Sequence, residues 1–264
     1  MKTLLAFFVL CAASASAFKL MTYNIHFGIP YEGDANLEWT ASTIADIDPL
    51  LCGLNEVDIH TKRQDHDTPT FLSERTNLKY HVYHQTVPNG SGKYGIAMLS
   101  QLRPNAIIEL SYHYPNGTQP VCITEDAYCR GAIAIRVEVA PGKDVWYVVT
   151  HLGLDATERL NQVKQLATEL FPALSQPYEA VFLVGDFNFQ PSEEPYKYLT
   201  EEMGWTDMWT VCGEGDGYTF DAKNPSRRID YMFQKPATFK CIKAEIPDTL
   251  ASDHRPLVYT FSDA

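Results

Sequence analysis

Asp186 and Asn188 close an apolar run, Val181, Phe182, Leu183 and Val184, in the stretch "FLVGDFNFQP". An extended chain turns alternate residues to one face, so this pattern predicts a carboxylate and a carboxamide side by side, with Phe187 facing away. Other apolar runs end in the same way. Asn24 ends the run in "TYNIH", Glu56 the run in "LNEVD", and His151 follows "WYVVT". Asp230 precedes "YMF", and Asp253 and His254 precede "RPLVYTF". One such residue alone is a turn former or a structural histidine. The whole set, at the ends of strands that packed sheets would bring together, points to one cleft.

Glu56 and Asp253 are hard oxygen donors of the kind Mg²⁺ or Mn²⁺ takes. There is no HExxH motif and no close cysteine pair at tetrahedral zinc spacing. His151 and His254 can donate protons or hydrogen bonds to phosphate oxygens. Asp230 is placed to orient His254 and raise its basicity, and Asp186 to orient or deprotonate a water. This repertoire suits metal-assisted hydrolysis of a phosphate ester, in which charge develops on phosphoryl oxygens. No serine nucleophile elbow, P-loop or dinucleotide fingerprint competes with it.

The elements that must hold these residues are mostly strands. Strand patterns cover 18–25, 50–57, 80–87, 95–101, 105–114, 131–139, 144–152, 180–189, 229–234 and 257–262. Some alternate apolar with polar residues, as half-buried strands do, and others are continuously apolar, as covered strands are. Between them, Leu160, Val163, Ala167, Leu170, Phe171 and Leu174 recur at helical steps and make one apolar stripe. A weaker stripe runs through Leu37, Ile44 and Ile47, with Asn36 as its cap. Strands with interspersed helices predict an α/β protein of packed sheets covered outside by helices.

Lys2, the apolar run "LLAFFVLCAA" and the small residues Ala15, Ser16 and Ala17 describe a secretory signal peptide over 1–17. The apolar run is shorter than the roughly 20 residues a membrane span needs, and no later segment is long and apolar enough. One domain over 18–264 is expected, with no linker or repeat, in a monomer that is secreted or held in the lumen of the secretory pathway. The formal net charge of −12 argues against a general polyanion binder. After removal of Cys11 with the signal, Cys52, Cys122, Cys129, Cys212 and Cys241 remain, an odd number. Cys122 with Cys129 and Cys212 with Cys241 are the simplest pairs, and Cys52 reads as a buried thiol. Sequons at Asn89 and Asn116 fall in turn-like stretches.

"TYNIH", "LNEVD", "YGIAMLS", "VTHLGLD", "VGDFNFQP", "RRIDYMF" and "ASDHRPL", in that order, resemble the endonuclease/exonuclease/phosphatase superfamily, which includes DNase I-like nucleases, neutral sphingomyelinases and inositol-polyphosphate 5-phosphatases. The resemblance runs from Thr22 to Leu257. It implies a four-layered α/β sandwich of two mainly antiparallel sheets, and Mg²⁺-dependent phosphoester hydrolysis. By this resemblance Glu56 is the principal metal ligand, assisted by Asn24 and Asp253. Asp186 and Asn188 position the water and bind a phosphate oxygen or a second metal, His254 acts with Asp230, and His151 contacts the scissile phosphate. Arg130 matches a position where arginine approaches phosphate; the alternative is an exposed arginine beside a loop disulfide.

Two motifs depart from the superfamily pattern. Ile96 stands where relatives often carry a polar residue, so the missing hydrogen bond must come from elsewhere, with Tyr94 the nearest source. "SRRIDYMF" replaces the inositol-phosphatase signature. His26, beside Asn24, reads as a hydrogen-bonded structural histidine. "THLGLD" followed by "ERLNQVKQL" resembles a branch of the superfamily linked to lipid metabolism, which implies a secreted phosphodiesterase for a phospholipid or phosphorylated headgroup. The alternatives are an extracellular DNase I-like endonuclease and an inactive secreted binding protein on the same fold. A nuclease needs basic and aromatic residues around its cleft, and "HTKRQDH" after Glu56 is the nearest candidate.

Overall fold

The computed structural model describes residues 17–118, 129–174 and 179–262. The elements are β1 (Phe18–Asn24), α1 (Leu37–Ile47), β2 (Leu51–Ile59), α2 (Thr68–Arg75), β3 (Tyr80–Asn89), β4 (Gly92–Ser100), β5 (Ala106–Ser111), β6 (Gly131–Ala140) and β7 (Lys143–His151). They continue with α3 (Ala156–Gln165), β8 (Ala180–Asp186), α4 (Glu194–Lys197), β9 (Thr206–Asp207), α5 (Trp209–Cys212), β10 (Asp230–Lys235), β11 (Lys240–Glu245) and β12 (Leu257–Ser262). Two six-stranded sheets form, ordered β11-β12-β1-β2-β4-β3 and β5-β6-β7-β8-β10-β9. Each is antiparallel except for one central parallel pair, β1 with β2 and β7 with β8.

Strand alternation explains the four layers. Leu20, Leu51, Met98, Val149, Phe182, Val184 and Met232 fill the space between the sheets. Their neighbours point outward. Met21, Cys52 and Leu54 pack beneath α1 and α2, while Val148, Leu183 and Phe233 pack beneath α3. Each large side chain withdrawn in this way contributes roughly 1.5–3 kcal/mol. The same parity carries the polar residues. Asn24, Asn55, Tyr94, His151, Asp186 and Asp230 each continue the inward-facing series of their strand, and all sit at one end of the sandwich. Gly53 allows the sheets their close approach, because a Cβ there would run into Val149 and Val184.

The helical stripes form as expected. Asn36 Oδ1 accepts from Trp39 N at 3.2 Å to cap α1, and α3 continues through a wider turn to Leu174. Helix α2, absent from the sequence pattern, starts on Asp67, whose Oδ1 accepts from Thr70 N at 3.1 Å. Strand β11 was also not expected. Cys212 and Cys241 are bonded, with Cα atoms 6.0 Å apart. Cys129 is also disulfide-bonded, and Cys52 is a buried free thiol whose pKa burial pushes up. Cys122 and residues 1–16 of the expected signal peptide over 1–17 lie outside the described residues. Both sequon stretches are at the surface. Among the described residues no helix is long and apolar enough to cross a membrane.

Candidate active site

The parallel pairs set the register of the site. Asn24 lies opposite Asn55 at the ends of β1 and β2, and His151 lies opposite Asp186 at the ends of β7 and β8. Asp230 opens β10 directly across from Asp186. Gly185 holds a φ of +140°, and a Cβ there would strike the Thr150 carbonyl. Glycine is therefore what lets β8 deliver Asp186 so close to β7.

Asp186 is the hub. Its Oδ2 accepts from Asn24 Nδ2 at 3.1 Å and its Oδ1 from Asn188 N at 2.9 Å. His151 Nε2 and His254 Nε2 stand 3.5 and 3.7 Å from Oδ2. Burial alone would raise the Asp186 pKa. The His151 hydrogen bond, the His254 charge and the Asn188 N–H outweigh it and hold the carboxyl below the usual carboxylate range.

His254 is fixed at Nδ1 by Asp230 Oδ2, 2.8 Å away. Its ring lies against Phe220, with centroids 4.7 Å apart. Burial by itself would lower the His254 pKa. The charge and hydrogen bond of Asp230, with Asp186 and Asp253 behind them, raise it to about 10. Burial pulls Asp230 upward against the His254 charge. The other oxygen, Asp230 Oδ1, is buried with no hydrogen-bond partner among the described residues.

His151 has the opposite character. Burial, then the Arg130 charge, lowers its pKa. Arg130 Nη1 lies 2.8 Å from His151 Nδ1, and arginine can only donate, so Nδ1 accepts and the ring proton sits on Nε2. Asn188 Nδ2 already donates to Leu152 O at 3.0 Å. Its 3.4 Å approach to His151 Nε2 therefore sets donor beside donor, and the two frame a pocket for an oxygen.

Asn188 reaches this place by a different route from strand alternation. Strand β8 stops at Asp186, and Asn188 turns to a φ of +53°. The chain folds back so that its own N–H caps Asp186, while Phe187 packs outward as expected. Arg130 is 6 % exposed and also donates to Tyr94 Oη at 3.1 Å. It is thus a buried bridge from β4 to β7, not an exposed loop arginine. Tyr94 supplies the polar group that Ile96, turned into the inter-sheet core, lacks.

A family model for the endonuclease/exonuclease/phosphatase family matches residues 21–254. The chain belongs to the endonuclease/exonuclease/phosphatase family. Solved structures agree in fold. An endonuclease/exonuclease/phosphatase from Beutenbergia cavernae superposes with a TM-score of 0.79 at 18 % identity, covering 94 % of this chain and 72 % of its own. The catalytic domain of human Nocturnin with a bound sulfate anion gives 0.72 at 18 %, covering 94 % and 95 %. A mannosyl-6-phosphatase of Bacteroides thetaiotaomicron gives 0.71 at 14 %, covering 92 % and 98 %. A comparison with curated protein sequences gives no match.

Endonuclease/exonuclease/phosphatase enzymes are generally divalent-metal dependent, and the donor set here fits a hard cation. Glu56 Oε1 and Asp186 Oδ2 both lean on the single Asn24 Nδ2, each at 3.1 Å. Asp253, half-buried, is 4.0 Å from His26 Nδ1 and 3.3 Å from Ser252 Oγ. Among the described residues neither Glu56 nor Asp253 forms an ion pair with lysine or arginine. Glu56 sits at a φ of +57°, where the register of β2 against β4 shifts. A bulge of this kind re-aims a side chain, and the strained backbone marks a position held for its side chain. Asn24 Oδ1 accepts from His26 N at 3.1 Å, so this amide ties the acids together with its nitrogen. Ligand atoms of Asp186, Asp230 and His254 also lie within 4.8 Å of one another. The charged His254 makes that trio an ion-pair network.

Three supporting residues were not read from the sequence. Asn55 joins the sheets, donating to Thr150 O at 2.8 Å and accepting from Asp186 N at 2.9 Å. Thr219 donates to Asp230 Oδ2, and Ser252 donates to Asn24 O at 2.7 Å. Asn55 lies inside an apolar run one residue before Glu56, and its inward parity was the available signal.

Proposed function

We propose that this hydrolase is a secreted, divalent-metal-dependent phosphodiesterase acting on a phospholipid or phosphorylated headgroup. The observation that carries the reading is the buried Asp186 carboxylate, whose Oδ2 lies 3.5 and 3.7 Å from Nε2 of His151 and His254. Glu56 and Asp253, with Asn24 linking the acids, would hold the cation. When bound, Mg²⁺ or Mn²⁺ supplies Lewis-acid polarisation of a phosphoryl oxygen.

The chain's own groups divide the remaining work. Asp186, kept ionised, orients the attacking water by accepting its hydrogen bond. The neutral His151 offers Nε2–H, and Asn188 its amide, to a phosphoryl oxygen. His254, kept charged by Asp230, stabilises the negative charge that grows on the phosphoryl group. Arg130 holds the His151 tautomer and adds a buried positive charge behind it. A rigid, desolvated set of donors of this kind needs little reorganisation in the transition state.

The net charge of −12 supports a headgroup substrate over a long polyanion, which binds through basic surface. Incubation of the purified protein with Mg²⁺ and sphingomyelin, plasmid DNA, a sugar 6-phosphate and a generic phosphodiester tests the reading. Release of the headgroup without nicking supports it. Plasmid nicking as the fastest reaction would make the protein a nuclease, and hydrolysis of the sugar phosphate alone a monoesterase like its Bacteroides neighbour.

A further inference from the structure

The two sheets expose facing edges on one side of the sandwich, β3 from one and β5 from the other. Across this seam His84 of β3 meets Glu109 and Ser111 of β5. His84 Nδ1 is 3.1 Å from Glu109 Oε2, and Ser111 Oγ is 3.1 Å from His84 Nε2. The order is hydroxyl to Nε2 and carboxylate to Nδ1, the arrangement of nucleophile, base and orienting acid in a Ser-His-Asp/Glu triad. His84 is 7 % exposed, whereas Ser111 and Glu109 are open to solvent. The base is therefore held and the nucleophile accessible.

Strand register adds a donor. Tyr112 N donates to Arg130 O at 3.1 Å, toward β6. In an antiparallel ladder the next residue points its N–H the other way, so Ser111 N–H faces the open edge of β5. A nucleophile's own N–H on the attacked side is one member of an oxyanion-stabilising pair. Ile107, Glu109 and Ser111 share the face of β5 opposite its packed residues Ala106, Ile108 and Leu110. Gly131, beside His84 Nε2, leaves room that a Cβ would fill.

We propose that Ser111, His84 and Glu109 form a second hydrolytic site, acting on small, unhindered carboxylic esters independently of the phosphoester site. Ser111 Oγ bonds to the acyl carbon as its proton passes to His84 Nε2. The bond from the acyl carbon to the ester oxygen breaks, and His84 returns that proton to the departing alcohol. Water then attacks the acyl-serine and gives a proton to His84. The bond to Ser111 Oγ breaks, the serine regains its proton, and a carboxylic acid leaves. Glu109 keeps Nδ1 protonated and stabilises the charged ring.

The test is covalent labelling of the full-length protein with a fluorophosphonate probe, with the adduct mapped by peptide mass spectrometry, alongside turnover of p-nitrophenyl acetate. The wild type is expected to carry the adduct on Ser111. Ser111→Ala should lose both adduct and esterase turnover while phosphodiester hydrolysis stays unchanged. His84→Gln should slow labelling on the order of 100-fold or more, the scale of a lost general base, and Glu109→Gln by about tenfold. Absence of a Ser111 adduct on the wild type overturns the proposal without needing any variant. Equal labelling in His84→Gln overturns it too, and leaves the trio as a latch between the sheet edges.

Discussion

Asp186 and Glu56 both meet the Asn24 amide at 3.1 Å, yet they live in different surroundings. Asp186 is buried among Asn24 of β1, His151 of β7, the Asn188 N–H that follows β8 and His254 that precedes β12. Glu56 stands half-buried on a strained bulge with one amide donor and, among the described residues, no lysine or arginine partner. Donors and histidines surround the first carboxylate, while the second stands at the rim of the cleft. The inner network is complete within the protein, while in the proposed reading the outer rim would hold the divalent ion.

The largest expected effect comes from erasing the inner charge. Asp186→Asn keeps the shape and removes the carboxylate, and kcat should fall roughly 10³-fold, the upper range for loss of one electrostatic contact at a developing charge. Circular dichroism should show the fold retained, and near-normal turnover would break the comparison at its centre. His254→Gln is expected to cost about 10²-fold in kcat with a smaller change in KM.

At the rim the effect should be on metal demand. Glu56→Gln is expected to raise the Mg²⁺ concentration for half-maximal rate by about 10- to 100-fold, the range for disturbed ligand shells. An unmoved titration curve would take Glu56 out of the ligand set.

A subtler effect sharpens the contrast between the histidines. Charged His254 contributes stability in full below the pKa of free histidine, about 6.5, and that contribution is lost as pH rises toward its folded value of about 10. Its ring resonances should therefore stay flat between about pH 6 and 8. In Asp230→Asn they should begin to titrate in that window. The same invariant signal in both proteins would mean that Asp230 does not hold the proton. The smallest effect is structural: Asn55→Ala leaves Thr150 O and Asp186 N unpaired and should cost about 1–3 kcal/mol in denaturant melts.

Most of the inner network could be read from strand parity. Phe182, Val184 and Asp186 form one inward series, as do Tyr147, Val149 and His151, so the apolar pattern carried the carboxylate and imidazole to the same cleft. Parity misled at Asn188, because nothing in "GDFN" shows that the strand stops at Asp186 and that the next turn is left-handed. It was also silent at Glu56, whose direction is set by a bulge. Such conformations are imposed by tertiary packing against local preference. Arg130 gave no burial signal because its partners, Tyr94 and His151, are distant in sequence. Strand β11 escaped notice since its charged, exposed residues suit a protected sheet edge more than a core strand. Helix α2 did carry its Asp67 cap and Pro69 as start signals, but its short apolar stripe was too weak to register.

One measurement separates the two halves most directly: Mg²⁺ titration of phosphodiester hydrolysis by the wild type, Glu56→Gln and Asp186→Asn. The account predicts that excess Mg²⁺ restores most of the Glu56→Gln rate and leaves Asp186→Asn inactive at every concentration. Recovery of Asp186→Asn by Mg²⁺, with Glu56→Gln indistinguishable from wild type, would place the cation on the inner carboxylate and contradict the division of the site.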